Sequence, residues 1–340
     1  MSEPHNESDE VSKEQEEGDS SLPLSTPPPT EEPKVTPALS SEPLPPESPA
    51  PATEPPIPAP TPAPSPSPRV RLVYRHTLPV RLSHWINVLC LPILIMSGFQ
   101  IFNAHPALYL GERSDRDRPI LSMKTVLTDD GEMKGITTLF GHPFETTGFL
   151  GASKDSLGEM RRRGFPSWAT LPSGKWLAMG RRWHLFFAWV FVLNGLLFGL
   201  YSLLSRHLLR DLFPWWKDLR RIGRAVLDHL LFRHPTGEGA THYNVLQKIA
   251  YTGVVFGLGP LIVMTGLTMS PQMDAAFPGL LSLFGGRQSA RTIHFVACFA
   301  FIGYTFIHLL MVAVTGLWNN LRSILGGWYC IKEFGGTNDK

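Results

Sequence analysis

The sequence predicts an all-α integral membrane protein, a four-transmembrane-helix bundle behind a disordered N-terminal tail. Three observations predict it. The first 68 residues have a composition that cannot build a core, the rest contains four long apolar stretches, and those stretches carry histidines at matched depths.

Residues 1–68 hold 20 of the chain's 32 prolines and 13 of its 29 acidic residues against two lysines, a balance of −11, whereas the remaining 272 residues carry +13. The tail has no aromatic residue and almost no large aliphatic one, so it cannot bury enough apolar surface to offset the entropy of ordering. Runs such as Pro58-Ala59-Pro60-Thr61-Pro62-Ala63-Pro64 favour extended polyproline conformers within that disorder. The first apolar stretch begins near residue 80, which is not the pattern of a secretory signal peptide, so the tail is expected to stay on the side of synthesis. Cys90, Cys298 and Cys330 are too few and too scattered for a disulfide framework or a cysteine-rich zinc site. The absence of a Cys-x-x-Cys-His run argues against covalently attached haem of the c type.

Residues 69–335 form the membrane domain. Leu82–Phe102, Leu185–Ser205, Val245–Met269 and Thr292–Leu317 each approach the roughly 20 residues needed to cross a hydrocarbon core of about 30 Å. Lys248 is the one charge inside them, and in the first turn of the third stretch it can snorkel to the interface. Arg69, Arg71, Arg75 and Arg81 precede the first stretch, and Arg206, Arg210, Lys217, Arg220, Arg221, Arg224 and Arg233 fill the second connection. The third connection has only Arg287 and Arg291, so both termini and the second connection are expected in the cytoplasm. The first connection, residues 103–183, is then periplasmic, and at about 80 residues it is expected to be a docking surface.

Four histidines lie in or at the ends of these helices. His84 is near the cytoplasmic start of the first, His184 at the outer start of the second, and His294 and His308 lie fourteen residues apart in the fourth. Fourteen residues rise about 21 Å and return to within roughly 40° of the starting direction, so one face of the fourth helix carries an imidazole near each membrane surface. By depth, His84 pairs with His308 and His184 with His294. Such pairs suit the two axial positions of a six-coordinate haem iron, giving two stacked b-type haems. Zinc fits less well, because no Cys, Asp or Glu accompanies the histidines at either depth.

Arg81 and Arg291 each precede a paired histidine by three residues and Arg182 precedes His184 by two, placing guanidinium groups where haem propionates would need them. Gly98, Gly195, Gly199, Gly253, Gly257 and Gly303 would let a flat macrocycle approach the backbone, although close helix packing also uses glycine. His5, His76, His105, His142, His207, His229 and His234 read as solvated or interfacial side chains. His242 is either a solvated loop histidine or a proton relay beside the third helix.

The segments Arg81-Leu82-Ser83-His84-Trp85, His184-Leu185-Phe186-Phe187 and Tyr243-Asn244-Val245-Leu246-Gln247-Lys248, together with His294 and His308, resemble the bacterial dihaem cytochrome b561 family. That family includes the gamma subunit of formate dehydrogenase and the cytochrome b subunits of thiosulfate reductase and nickel-iron hydrogenase. The resemblance spans about residues 70–330. It implies that His84 and His308 ligate an inner haem iron, that His184 and His294 ligate an outer one, and that the protein sits in the bacterial inner membrane. It also implies a quinone site beside the inner haem at Asn244, where the Gln247 side-chain amide is expected to be a second donor to the quinone. Leu246 replaces the family's glycine there, while Asn244 and Gln247 together also match a helix-capping pattern. The long loop and Gly316-Leu317-Trp318-Asn319-Asn320 are more similar to the subgroup that partners molybdopterin-dependent oxidoreductases.

No carboxylate pair, nucleophile constellation or phosphate-binding glycine loop is present, so substrate chemistry is expected on a partner docked on the outer face, with this chain moving electrons between that partner and a membrane quinone. The alternative is a haem- or metal-binding membrane anchor or sensor without quinone turnover.

Overall fold

The computed structural model describes residues 69–206, 222–223, 226–227 and 245–333. Strand β1 (Arg69–Tyr74) leads into helix α1 (Leu78–Phe102), whose first turn carries Pro79 where no N–H is required. Strands β2 (Ala107–Leu108), β3 (Leu121–Leu127), β4 (Met133–Leu139) and β5 (His142–Glu145) form an antiparallel sheet in sequence order. A separate hairpin of β6 (Gly151–Lys154) and β7 (Met160–Arg163) follows, and then helix α2 (Leu177–Leu204).

The third span is interrupted. Helix α3 (Val245–Thr252) passes into a π segment at Gly253–Leu258 and resumes as α4 (Gly259–Thr268). Pro260 cannot donate to the carbonyl of Phe256, and the Gly259 N–H reaches back five residues to the carbonyl of Val254, so proline widens the turn just before it. Short helices α5 (Pro271–Ala276) and α6 (Pro278–Leu283) connect to α7 (Arg287–Val314). Gly316, at φ 111°, ends that span and starts the amphipathic helix α8 (Leu317–Gly326).

Strand β8 (Trp328–Glu333) returns to pair antiparallel with β1, from Tyr74 opposite Trp328 to Arg69 opposite Glu333. Gly327 makes the turn into it at φ 89°, and a Cβ there would stand 2.6 Å from the Tyr74 ring.

The four spans are Leu78–Phe102, Leu177–Leu204, Val245–Thr268 and Arg287–Val314, each long and apolar enough to cross a membrane. All four expected segments are therefore present. The second and fourth helices begin eight and five residues earlier than their apolar stretches, so Arg181, Arg182 and Arg291 are helical. Helix α1 packs along α2, and α4 along α7.

Side chains sorted by burial invert the pattern of a soluble protein. Ser97, Ser202, Thr265, Gln100 and Asn194 are buried between helices, while Leu196, Leu204 and Phe306 are 67–78 % exposed. Small and polar residues in the seams with large apolar residues outside is the arrangement a hydrocarbon surrounding requires.

The connection, expected over residues 103–183 and found over 103–176, is a β-structured cap on one end of the bundle. Its core is Phe102, Leu108, Met123 and Phe165, packed on Phe99 of α1 and Phe295 of α7. Phe99 and Phe165 stack with centroids 3.9 Å apart. Arg163 is buried at the seam, donating to the carbonyl of Ser173 (2.6 Å) and to Thr170 Oγ1 (2.8 Å), and burial holds its guanidinium below the usual arginine range.

Candidate cofactor sites between paired histidines

The bundle brings the four histidines into two pairs. His84 of α1 and His308 of α7 have ring centroids 6.3 Å apart, at the end of the bundle where β1 and β8 lie. His184 of α2 and His294 of α7 are also 6.3 Å apart, at the end covered by the β cap. Two imidazoles facing one another across a single metal, at bonds of about 2.0–2.1 Å and with each nitrogen about 1.2 Å from its ring centre, would have centroids about 6.4–6.6 Å apart. Each pair has the spacing that one six-coordinate iron requires. Among the described residues, no third His, Cys, Asp or Glu joins either pair to make a metal-ion cluster. Two imidazoles alone suit a metal that brings its own equatorial nitrogens, as haem iron does.

At the cap end, each imidazole is held the same way. His184 Nδ1 is 3.1 Å from the Leu94 carbonyl and 3.1 Å from Ser97 Oγ. His294 Nδ1 is 3.0 Å from the Ile262 carbonyl and 3.2 Å from Thr265 Oγ1. A carbonyl can only accept, so Nδ1 carries the hydrogen in both rings and Nε2 keeps the lone pair a metal needs. At the other end, His84 Nδ1 is buried without a hydrogen-bond partner among the described residues. Trp85 lies edge-on to His84 at 5.5 Å, and Tyr304 stacks on His308 at 5.9 Å.

The three arginines fare differently. Arg81 Nε is buried and unpartnered among the described residues, which leaves a donor for an anionic group beside His84. Arg182 is exposed. Arg291 donates to the carbonyls of Ala107 (2.9 Å) and His105 (2.5 Å) and lies over the Phe102 ring, so it fastens the β cap to α7.

Among the glycines singled out in the sequence, Gly98 packs on His184, where a Cβ would come 3.4 Å from Cε1. Gly195, Gly199, Gly253, Gly257 and Gly303 have nothing within 4 Å of a would-be Cβ. Gln247 opens α3, whereas Asn244 and His242 lie outside the described residues.

Sequence reasoning missed Gly266, which meets His294 Cε1 at 3.3 Å as Gly98 meets His184. A signal was available. Pro92-Ile93-Leu94-Ile95-Met96-Ser97-Gly98 and Pro260-Leu261-Ile262-Val263-Met264-Thr265-Gly266 are copies of one pattern, proline, four apolar residues, a hydroxyl and glycine.

A membrane bundle whose helices present imidazoles in facing pairs defines a membrane cytochrome of the b type. The family model of prokaryotic cytochrome b561 matches residues 75–327, and the chain belongs to that family, whose members are membrane proteins that bind b-type haem. It is also 27 % identical over 235 residues to a protein named as a subunit of a protein-methionine-sulfoxide reductase, YedZ1 of Azospira oryzae. That match covers 69 % of this chain and 88 % of the relative. The chain is thus a membrane haem subunit for electron transfer.

Proposed function

We propose that this subunit carries two b-type haems and passes electrons from membrane quinol to a molybdopterin-dependent oxidoreductase docked on the periplasmic side. The observation that carries the reading is the equal 6.3 Å separation of two histidine pairs that share α7 fourteen residues apart. His84 and His308 would hold the inner iron, and His184 and His294 the outer one. Bound haem supplies reversible one-electron transfer. The chain's own part is to hold both sites in register on one rigid helix and to keep them dry.

The basic residues before α1 and after α2 support cytoplasmic termini, which directs the β cap to the periplasm. Arg81 supplies a propionate partner at the inner site, and Arg182 and Arg291 stand at the level of the outer one. Quinol oxidation is assigned to the start of α3, where Asn244 and Gln247 offer amide donors to quinone carbonyls. The relative's name supports a partner that reduces oxidised methionine, a reaction that consumes two electrons and two protons per sulfoxide and suits supply from one quinol.

The test is haem stoichiometry in the purified protein by pyridine haemochrome. Two haems per chain are expected, one of them lost in His308→Ala and the other in His294→Ala. One haem or none in the unaltered chain refutes the reading.

A further inference from the structure

The two copies of the proline–hydroxyl–glycine pattern meet at one site. In an α-helix the carbonyl of residue i is flanked by the side chains at i+3 and i+4. For Leu94 those positions are Ser97 and Gly98, and for Ile262 they are Thr265 and Gly266. The glycine leaves the carbonyl uncovered and lets the imidazole edge approach. The hydroxyl, its own hydrogen turned back along the helix, offers the same imidazole a second acceptor. Ser97 Oγ donates to the Ile93 carbonyl at 2.6 Å, and Thr265 Oγ1 donates to the Leu261 carbonyl at 2.7 Å. Each Nδ1–H is thereby shared between a carbonyl and a hydroxyl oxygen.

Both hydroxyls are completely buried, so no water competes for these bonds. The two histidines even occupy equivalent helical positions, His184 as the eighth residue of α2 and His294 as the eighth of α7.

We propose that Ser97 with Gly98, and Thr265 with Gly266, are one positioning device used twice, and that it sets the electron-donor strength of the two imidazoles at the cap-end site. This rests on the reading of His184 and His294 as ligands of one iron. An Nδ1–H given to two acceptors makes the ring more electron-rich at Nε2 and favours the ferric over the ferrous state. His84 lacks such a partner on Nδ1, so the device distinguishes the cap-end site from the other.

The experiment is a potentiometric titration of the holoprotein in Ser97→Ala and Thr265→Ala, followed optically and by low-spin ferric EPR. In each variant the midpoint of the cap-end haem should rise, changing its reduced-to-oxidised ratio at fixed ambient potential about threefold, the scale of one modest hydrogen bond. Haem content and the midpoint of the His84/His308 site should stay as in the unaltered chain. Exchanging the copies, Ser97→Thr or Thr265→Ser, restores a hydroxyl and should restore the potential. Gly98→Ala and Gly266→Ala push on Cε1 and should shift the EPR signal of the same haem.

Unchanged midpoints in both alanine variants, or a shift confined to the other haem, overturn the proposal. His184→Ala separates the two readings: if it retains both haems the ligand assignment fails and takes this inference with it. If it loses one haem while Ser97→Ala shifts nothing, only the positioning device fails.

Discussion

Asn194 on α2 donates to Asn87 Oδ1 on α1 across 2.9 Å, and to the carbonyl of Ser83 at 3.1 Å, one residue before His84. Two carboxamides joined inside an apolar span fix the register of α1 against α2. Asn194→Leu should destabilise the bundle by about 1 kcal/mol, the usual scale of an interhelical hydrogen bond in a membrane. Reversible unfolding in mixed micelles checks this, and the haem proposed at His84 and His308 should be the one released first.

Arg163 is a buried cation held by uncharged oxygens of Ser173, Thr170 and Gln100. Removing it leaves three acceptors facing one another without a donor. Arg163→Ala should cost about 2–3 kcal/mol in the β cap. Limited proteolysis should then cut between residues 103 and 176 well before the helices unfold, whereas equal resistance to the unaltered protein would contradict the assignment.

Acid should act on the hairpin of β6 and β7 through Asp155. Its carboxylate accepts from Arg161 Nε at 3.0 Å and from the backbone N–H groups of Leu157 (2.9 Å) and Glu159 (3.1 Å). The Arg161 bond, followed by those two, holds Asp155 below the usual carboxylate range. A depressed folded pKa means that the contribution is complete above the unfolded carboxylate value and is lost as pH falls through the lower folded one. The exposure of its partner Arg161 keeps the effect small and salt-sensitive. Amide protection at Leu157 and Glu159 should therefore persist through mild acid and fall only below the ordinary aspartate range, and Asp155→Asn should weaken it above that range and remove its pH dependence.

The quinol oxidation proposed at Asn244 and Gln247 makes a kinetic prediction. Asn244→Leu and Gln247→Leu should each slow haem reduction by quinol analogues at least tenfold, with both haems still bound, about 1.4 kcal/mol for a lost hydrogen bond to the reacting ligand. Stopped-flow reduction at unaltered rates in both variants would leave helix capping as the role of these residues.

The membrane helices were legible because a hydrocarbon surrounding imposes one strong rule, long apolar runs, on every span. The pairing of His84 with His308 and of His184 with His294 followed from the depth of each histidine in its span, with helical rise and rotation placing His294 and His308 on one face of the fourth helix. The β cap was not legible in the same way. Strands such as His142–Glu145, exposed along their whole length, and Met160–Arg163, with three consecutive arginines, carry no hydrophobic alternation. Arg291 shows the limit for side chains, since its spacing from His294 suggested a propionate partner while its guanidinium spans two carbonyls of the cap. Ser97 and Thr265 were hidden for another reason: hydroxyls inside an apolar helix commonly satisfy themselves on their own backbone, and only the opposing imidazole gives them a second role.

The pairing of β1 with β8 joins residues 69–74 to residues 328–333. In biosynthesis the first of these segments emerges before any span exists and the second only after all four have been threaded into the bilayer. The ribbon is therefore the last structure that can form, and it forms only in chains whose insertion was completed with both segments on one side. A truncated or mis-threaded chain leaves Val70, Leu72 and Tyr74 on an open strand edge, a ready mark of failure for quality-control proteases.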